Sequence, residues 1–173
     1  MPYNQKNTLQ VFPYDRGKAV QYAHQWAKRR NPAYFDFENY GGDCTNFASQ
    51  VIYAGCGIMN YTPTYGWYYS DSYNRTASWT GVDYLYNFLV NNLSVGPFAE
   101  LVDSKDVQPG DIIQLSFQQG PRYNHSPVVV QTGYPGDLNQ ILVAAHSDDQ
   151  DYYPLTQYSW VKFRCIHIVG IRR

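Results

Sequence analysis

Cys44 stands in Gly41-Gly42-Asp43-Cys44-Thr45-Asn46-Phe47-Ala48-Ser49-Gln50, a block whose residue types suit nucleophilic chemistry. The two glycines allow an open approach to a helix that begins at the thiol. In a first helical turn, unpaired N–H groups and the helix dipole favour a thiolate and can hold a developing oxyanion. The structural alternative is a small buried hydrophobe, the commonest role of a free cysteine. Asp43, Thr45 and Asn46 argue against so apolar a pocket. A thiolate nucleophile also needs an imidazole to take its proton and return it to the leaving group. Of the four histidines, His24 falls mid-helix and reads as a surface residue. His167 shares a strand face with Cys165 and Val169 and reads as a satisfied core histidine. His125 opens the apolar run at 128–130, and His146 closes the run at 141–145. If these runs pair antiparallel through the turn at 134–136, the two histidines meet at one sheet edge. His146 then stands behind His125 as its orienter.

The elements that must position these side chains follow from periodicity. A helix is expected over Arg16–Arg30, with Ala19, Tyr22, Ala23, Trp26 and Ala27 on one face and Asp15 as cap. A second fits Cys44–Ala54, capped by Asp43 and ended by Gly55. A third fits Trp79–Leu93 with Ser78 as cap. Between them, residues 57–78 form a long aromatic and polar segment, a length that usually marks a functional or self-packed loop. After residue 95 the period shortens. Strands are expected at Phe98–Val102, Asp111–Phe117, His125–Thr132, Gln140–His146 and Val161–Ile171, the last with one apolar face. Helices followed by a run of short strands read as α+β with an antiparallel sheet. Residues 1–13 read as a polar arm and 14–173 as a single domain.

Composition narrows the classes. The chain has 173 residues, a net charge of −1 and only 16% charged residues, so no basic field for nucleic acid is implied. No run of about 18 apolar residues is present to span a membrane as a helix. Eighteen tyrosines in a chain that is 17% aromatic suggest half-buried rings with a wet hydroxyl edge. Cys44, Cys56 and Cys165 are too few for a disulfide scaffold; one pair with one free thiol, or three free thiols, both fit. Met1-Pro2-Tyr3-Asn4 opens a polar stretch without the apolar core of a signal peptide.

Several blocks together resemble a known family. Gly42-Asp43-Cys44-Thr45-Asn46-Phe47 with Ser49-Gln50, Gly66-Trp67-Tyr68-Tyr69, Pro109-Gly110-Asp111-Ile112, His125-Ser126, and His146-Ser147 with Asp149 are similar to the putative amidase domain of Gram-positive bacteria. That family is related to NlpC-type and CHAP cell-wall hydrolases of papain-like fold. The resemblance runs from about residue 14 to the end. It implies a papain-like cysteine hydrolase, with N-terminal helices packed on a C-terminal antiparallel sheet. Cys44 would be its nucleophile, His125 its general base and acid, and His146 its third member, with Asp148 or Asp149 as substitutes. It implies no cofactor or metal, a peptide or peptidoglycan-type substrate, a monomer, and work at the cell envelope or outside it. Asn39 or Tyr40 is the expected oxyanion or substrate contact, Glu38 being a poor donor if ionised. Asp43 and Trp67 are placed with them, and Tyr40 with Trp67–Tyr69 is expected to wall a substrate groove.

Two other classes compete. Cys44, His125 and His146 suit an open three-ligand zinc site, although no close-spaced pair anchors it. A binding module that keeps the fold without turnover would use the tyrosines between 61 and 73 to stack on sugars or grip a peptide.

Overall fold

The computed structural model describes residues 8–173. Of the arm expected over 1–13, residues 1–7 lie outside the described residues, and Val11–Phe12 form strand β1. Helix α1 spans Arg16–Trp26, opened by Asp15, whose carboxylate accepts from the Lys18 N–H at 3.0 Å. It stops short of Arg30, and its last turn tightens as Arg29 N–H reaches back to the Trp26 carbonyl.

Helix α2 spans Cys44–Cys56 and runs through Gly55 instead of ending there. Gly57 takes the terminal left-handed position at φ 65°, which glycine adopts without a Cβ penalty. Gly55 has another task, because a Cβ on it would lie 2.3 Å from the Tyr14 ring. The expected third helix is broken at Gly81, whose extended backbone (φ −111°, ψ 130°) separates α3 (Ala77–Thr80) from α4 (Val82–Asn91).

The remaining strands are β2 (Gly96–Val102), β3 (Ile112–Ser116), β4 (Val128–Gln131), β5 (Leu142–Ala145), β6 (Gln150–Pro154) and β7 (Lys162–Arg172). Among the described residues they form one antiparallel sheet in the order β1-β7-β3-β4-β5-β6, with β2 also on β7. The chain is therefore α+β, helices before sheet, as the order of periods implies. Strand β6 had no sequence signal, since Gln150-Asp151-Tyr152-Tyr153-Pro154 carries no apolar alternation.

Both faces of the sheet are covered. Phe47, Ile52, Trp79, Leu85 and Leu89 from the helices meet Ile112, Val128, Ala144, Ile166 and Ile168 on one side. Ile113, Leu115, Val129, Val143, Leu155 and Cys165 form a second core on the other. This divides the apolar face expected for the last strand. Ile166 and Ile168 pack against helices, Cys165 joins the second core, and Val169 is exposed. His167 is half-buried and bonds the buried Asp111 carboxylate at 2.8 Å, which also holds Arg16 at 2.7 Å. His24 is no free surface residue, because it bonds Asp151 at 2.8 Å and stacks on Tyr152.

Candidate active site

Cys44 opens α2, and His125 precedes β4, its backbone bridged to Leu115 of β3. Two polar contacts bring these segments together. The Thr45 and Ser126 hydroxyls lie 3.1 Å apart, and the Ser126 N–H donates to the Cys44 sulfur. Gln114 Nε2 donates to Ser126 Oγ at 3.2 Å, and Arg164 holds Gln114 from the far side. The start of α2 is thus pinned to the start of β4.

Cys44 and His125 line one open cleft of about 1160 Å³. Its walls include Asn39, Asn124, Gln157 and the rings of Phe117, Tyr153 and Tyr158. His125 is 5% exposed, with the Tyr158 ring edge-on at 5.3 Å and the Phe117 ring at 6.1 Å. The His125 Nε2 and the Tyr158 hydroxyl are both buried without a hydrogen-bond partner. Buried polar atoms are seldom left so, and here both belong to the cleft that holds the thiol.

Burial sets the resting protonation. It depresses the His125 imidazole from the ordinary 6.5 to about 4, against the opposing field of Asp148. It pushes the Cys44 thiol up, against hydrogen bonds from Thr45 and Ser126. The thiolate expected from a helix N-terminus is therefore not the resting form, because desolvation outweighs the dipole at this buried site. A neutral thiol and a neutral imidazole share the cleft.

His146 does not stand behind His125. Val128 pairs with Ala144, and continuing that register puts His146 opposite Ser126, one residue from His125. Period-two alternation then sends the two imidazoles to opposite faces. His146 stacks on Phe47 in the helix-facing core, with ring centroids 4.2 Å apart. Its Nδ1 lies 2.5 Å from Asp43 Oδ2, and its Nε2 lies 2.8 Å from the Trp26 carbonyl. Asp43 also accepts from the Phe37 N–H and the Asn46 amide and lies 3.7 Å from Arg30. Both ring nitrogens of His146 are thus engaged within the core and away from His125. Asp43 is accordingly no side-chain cap of α2; its buried carboxyl group holds the turn that precedes Cys44. The zinc arrangement fails for the same reason. Among the described residues, no group of three His, Cys, Asp or Glu side chains is placed to hold a metal ion.

The rim is built on left-handed backbone. Gly41 and Gly42 have φ of 105° and 100°, and Ser147 and Asp148 both have φ of 62° at the β5–β6 turn. Two positive φ values fit a tight hairpin turn, but serine gains nothing from that conformation itself. Its hydroxyl accounts for its use: Ser147 Oγ accepts from the Asp43 N–H at 3.1 Å and donates to Glu38 at 2.9 Å.

The other expected contacts divide. Asn39 lines the cleft, whereas Tyr40 is 74% exposed outside it and packs on Phe35. Trp67 is fully buried against Trp79 and gives its N–H to Ser49, so it cannot wall a groove. The cleft's aromatic walls are Phe117, Tyr153 and Tyr158, which sequence reasoning missed because their segments carry no motif. Arg30 was missed as well. It lies past α1 among Asp36, Glu38, Asp43 and Asp149, at 3.2, 3.6, 3.7 and 2.8 Å. All three cysteines are free and buried, which excludes a Cys56–Cys165 pair.

A family model described as "Putative amidase domain" matches residues 13–169. The chain belongs to the putative amidase domain family. The chain is also 35% identical over 167 residues to the uncharacterized protein YhbB of Bacillus subtilis (strain 168), covering 92% of this chain and 51% of that protein. It spans about half the length of that relative. No solved structure matches it. Membership of the putative amidase domain family points to hydrolysis of an amide bond.

Proposed function

We propose that the protein is a cysteine amidase or peptidase of papain-like design, related to the NlpC-type and CHAP hydrolases. In this reading Cys44 is the nucleophile and His125 the general base and acid. One observation carries it: the thiol and a buried imidazole with an unpartnered nitrogen line the same cleft. His125 takes the Cys44 proton as sulfur attacks the amide carbonyl. The first-turn N–H of Cys44 and the Asn39 amide stand in support of the oxyanion. Protonated His125 gives its proton to the amine as the C–N bond breaks. Water, deprotonated by His125, then cleaves the thioester, releasing the acid and restoring the thiol. His146 and Asp43 act as positioning residues that hold the turn before Cys44. The substrate is a peptide or peptidoglycan-type amide, received between aromatic and amide walls.

The test is amine release from peptide amides and from solubilised cell-wall fragments, by wild type and by Cys44→Ala. The variant is expected to lose about 10³-fold or more of the rate. Turnover that survives the substitution rejects the thiol mechanism. Undiminished binding without turnover in either protein turns the reading toward a binding module.

A further inference from the structure

The cleft around Cys44 is acidic, and its charge is not balanced locally. Glu38, Asp148 and Asp149 line it, and among the described residues no lysine or arginine does. Glu38 and Asp149 share Arg30 with Asp36 and Asp43, so one guanidinium serves four carboxylates. Lys28 reaches the main-chain oxygen of Asp149, and His146 is engaged by Asp43. Asp148 is exposed on the rim and has no ion-pair partner among the described residues. Its field nevertheless reaches both His125 and Tyr158. The left-handed backbone at Ser147 and Asp148, tied down by Ser147 Oγ to Asp43 and Glu38, sets the main chain that carries this carboxylate at the mouth. Beside it, His125 lines the same cleft, and its buried Nε2 has no partner, an opening for a polar group of the ligand.

We propose that the site selects amides bearing a protonated primary amine a few bonds from the scissile carbonyl, read by Asp148 with Glu38 behind it. This rests on the reading of Cys44 as the nucleophile. It adds the substrate's charge, which neither the family match nor the relative supplies.

Two measurements test it. The first is the labelling rate of Cys44 with aminoethyl, methyl and sulfonatoethyl methanethiosulfonates, each divided by its rate with N-acetylcysteine amide and located by peptide mass mapping. The cationic reagent is expected to react about tenfold faster than the neutral one and the anionic reagent slower by a similar factor. The preference should shrink several-fold in 1 M NaCl and in Asp148→Asn, asparagine being tolerated at a left-handed position. Rates within about twofold of one another, or a preference untouched by Asp148→Asn, overturn the proposal. The second is kcat/KM for matched peptide amides with a free or an acetylated α-amine. Preference for the free amine, expressed in KM and lost in Asp148→Asn, supports it. Equal turnover of the two forms rejects it. Turnover of neither, with charge-selective labelling intact, counts against the amidase reading and leaves the cation-reading cleft standing.

Discussion

At the scale of single residues, the structure separates two histidines that sequence position pairs. His125 is held dry between Phe117 and Tyr158, whereas His146 is bonded through both ring nitrogens, to Asp43 and to the Trp26 carbonyl. Nitrogen NMR should show His125 as a neutral imidazole at neutral pH and still so at pH 5. Replacing His146 by phenylalanine keeps the stack on Phe47 but strands the buried Asp43 carboxylate. Loss of one partner of such a pair costs about 3–5 kcal/mol, readable as a lowered urea midpoint. For His125 the consequence is kinetic. With its imidazole depressed to about 4, kcat/KM should stay flat through mildly acidic pH and fall only as pH approaches that value. An acid limb near the ordinary 6.5 would rule out a desolvated base.

At the scale of elements, the alignment of Cys44 with His125 that the proposed mechanism needs depends on how α2 meets β4. The Thr45–Ser126 contact is the pin, and the Cys44 sulfur draws on the Ser126 N–H beside it. Thr45→Val keeps the shape and removes the hydroxyl, leaving Ser126 still bonded to Gln114. It should lower stability by about 1 kcal/mol while reducing kcat more than it raises KM, since the thiol shifts relative to His125. A rise in KM alone would show that the pin does not set the thiol. At the other end of α2, Gly55→Ala drives a Cβ to 2.3 Å from the Tyr14 ring and 2.9 Å from the Asp15 carbonyl. Overpacking of that kind costs about 1–3 kcal/mol in thermal or urea unfolding. The Gly55 result also separates two roles that look alike in sequence. A glycine near a helix end reads as a cap, but here it serves close packing, and Gly57 is the cap.

For the whole molecule, buried titratable groups confine stability to a middle pH range. His125 has a folded pKa of about 4 against an ordinary 6.5, so between those values the unfolded chain binds the extra proton. Stability is thus complete above about 6.5 and falls as pH drops toward 4, by up to about 3 kcal/mol from this group. At the alkaline end, Cys56 and Cys165 are pushed up to about 12 by burial. The unfolded chain releases these protons first, so stability declines as pH rises above the ordinary thiol range. Urea midpoints measured from pH 4 to 10 should trace a dome, and His125→Gln should flatten its acid side. An unchanged acid slope in that variant would assign the loss to other groups.

Much of this was legible in the sequence for a physical reason: periodicity and turn chemistry act locally. The α+β order, the starts of α1 and α2 and five of the sheet's seven strands follow from apolar spacing and from Asp15, Gly and Pro signals. The roles proposed for Cys44 and His125 rest on their types and settings in the sequence, and the fold brings both to one cleft. The partners of buried charges were not legible. Asp43 reads as a cap by position, yet its carboxylate turns to His146, 103 residues away, where burial makes pairing decisive. Trp67 reads as a groove wall by composition, yet the interior takes it because it offers large apolar area and one N–H that Ser49 satisfies. Strand register is likewise a long-range property. One residue of offset between β4 and β5 placed the two histidines on opposite faces, and only the folded sheet could decide that.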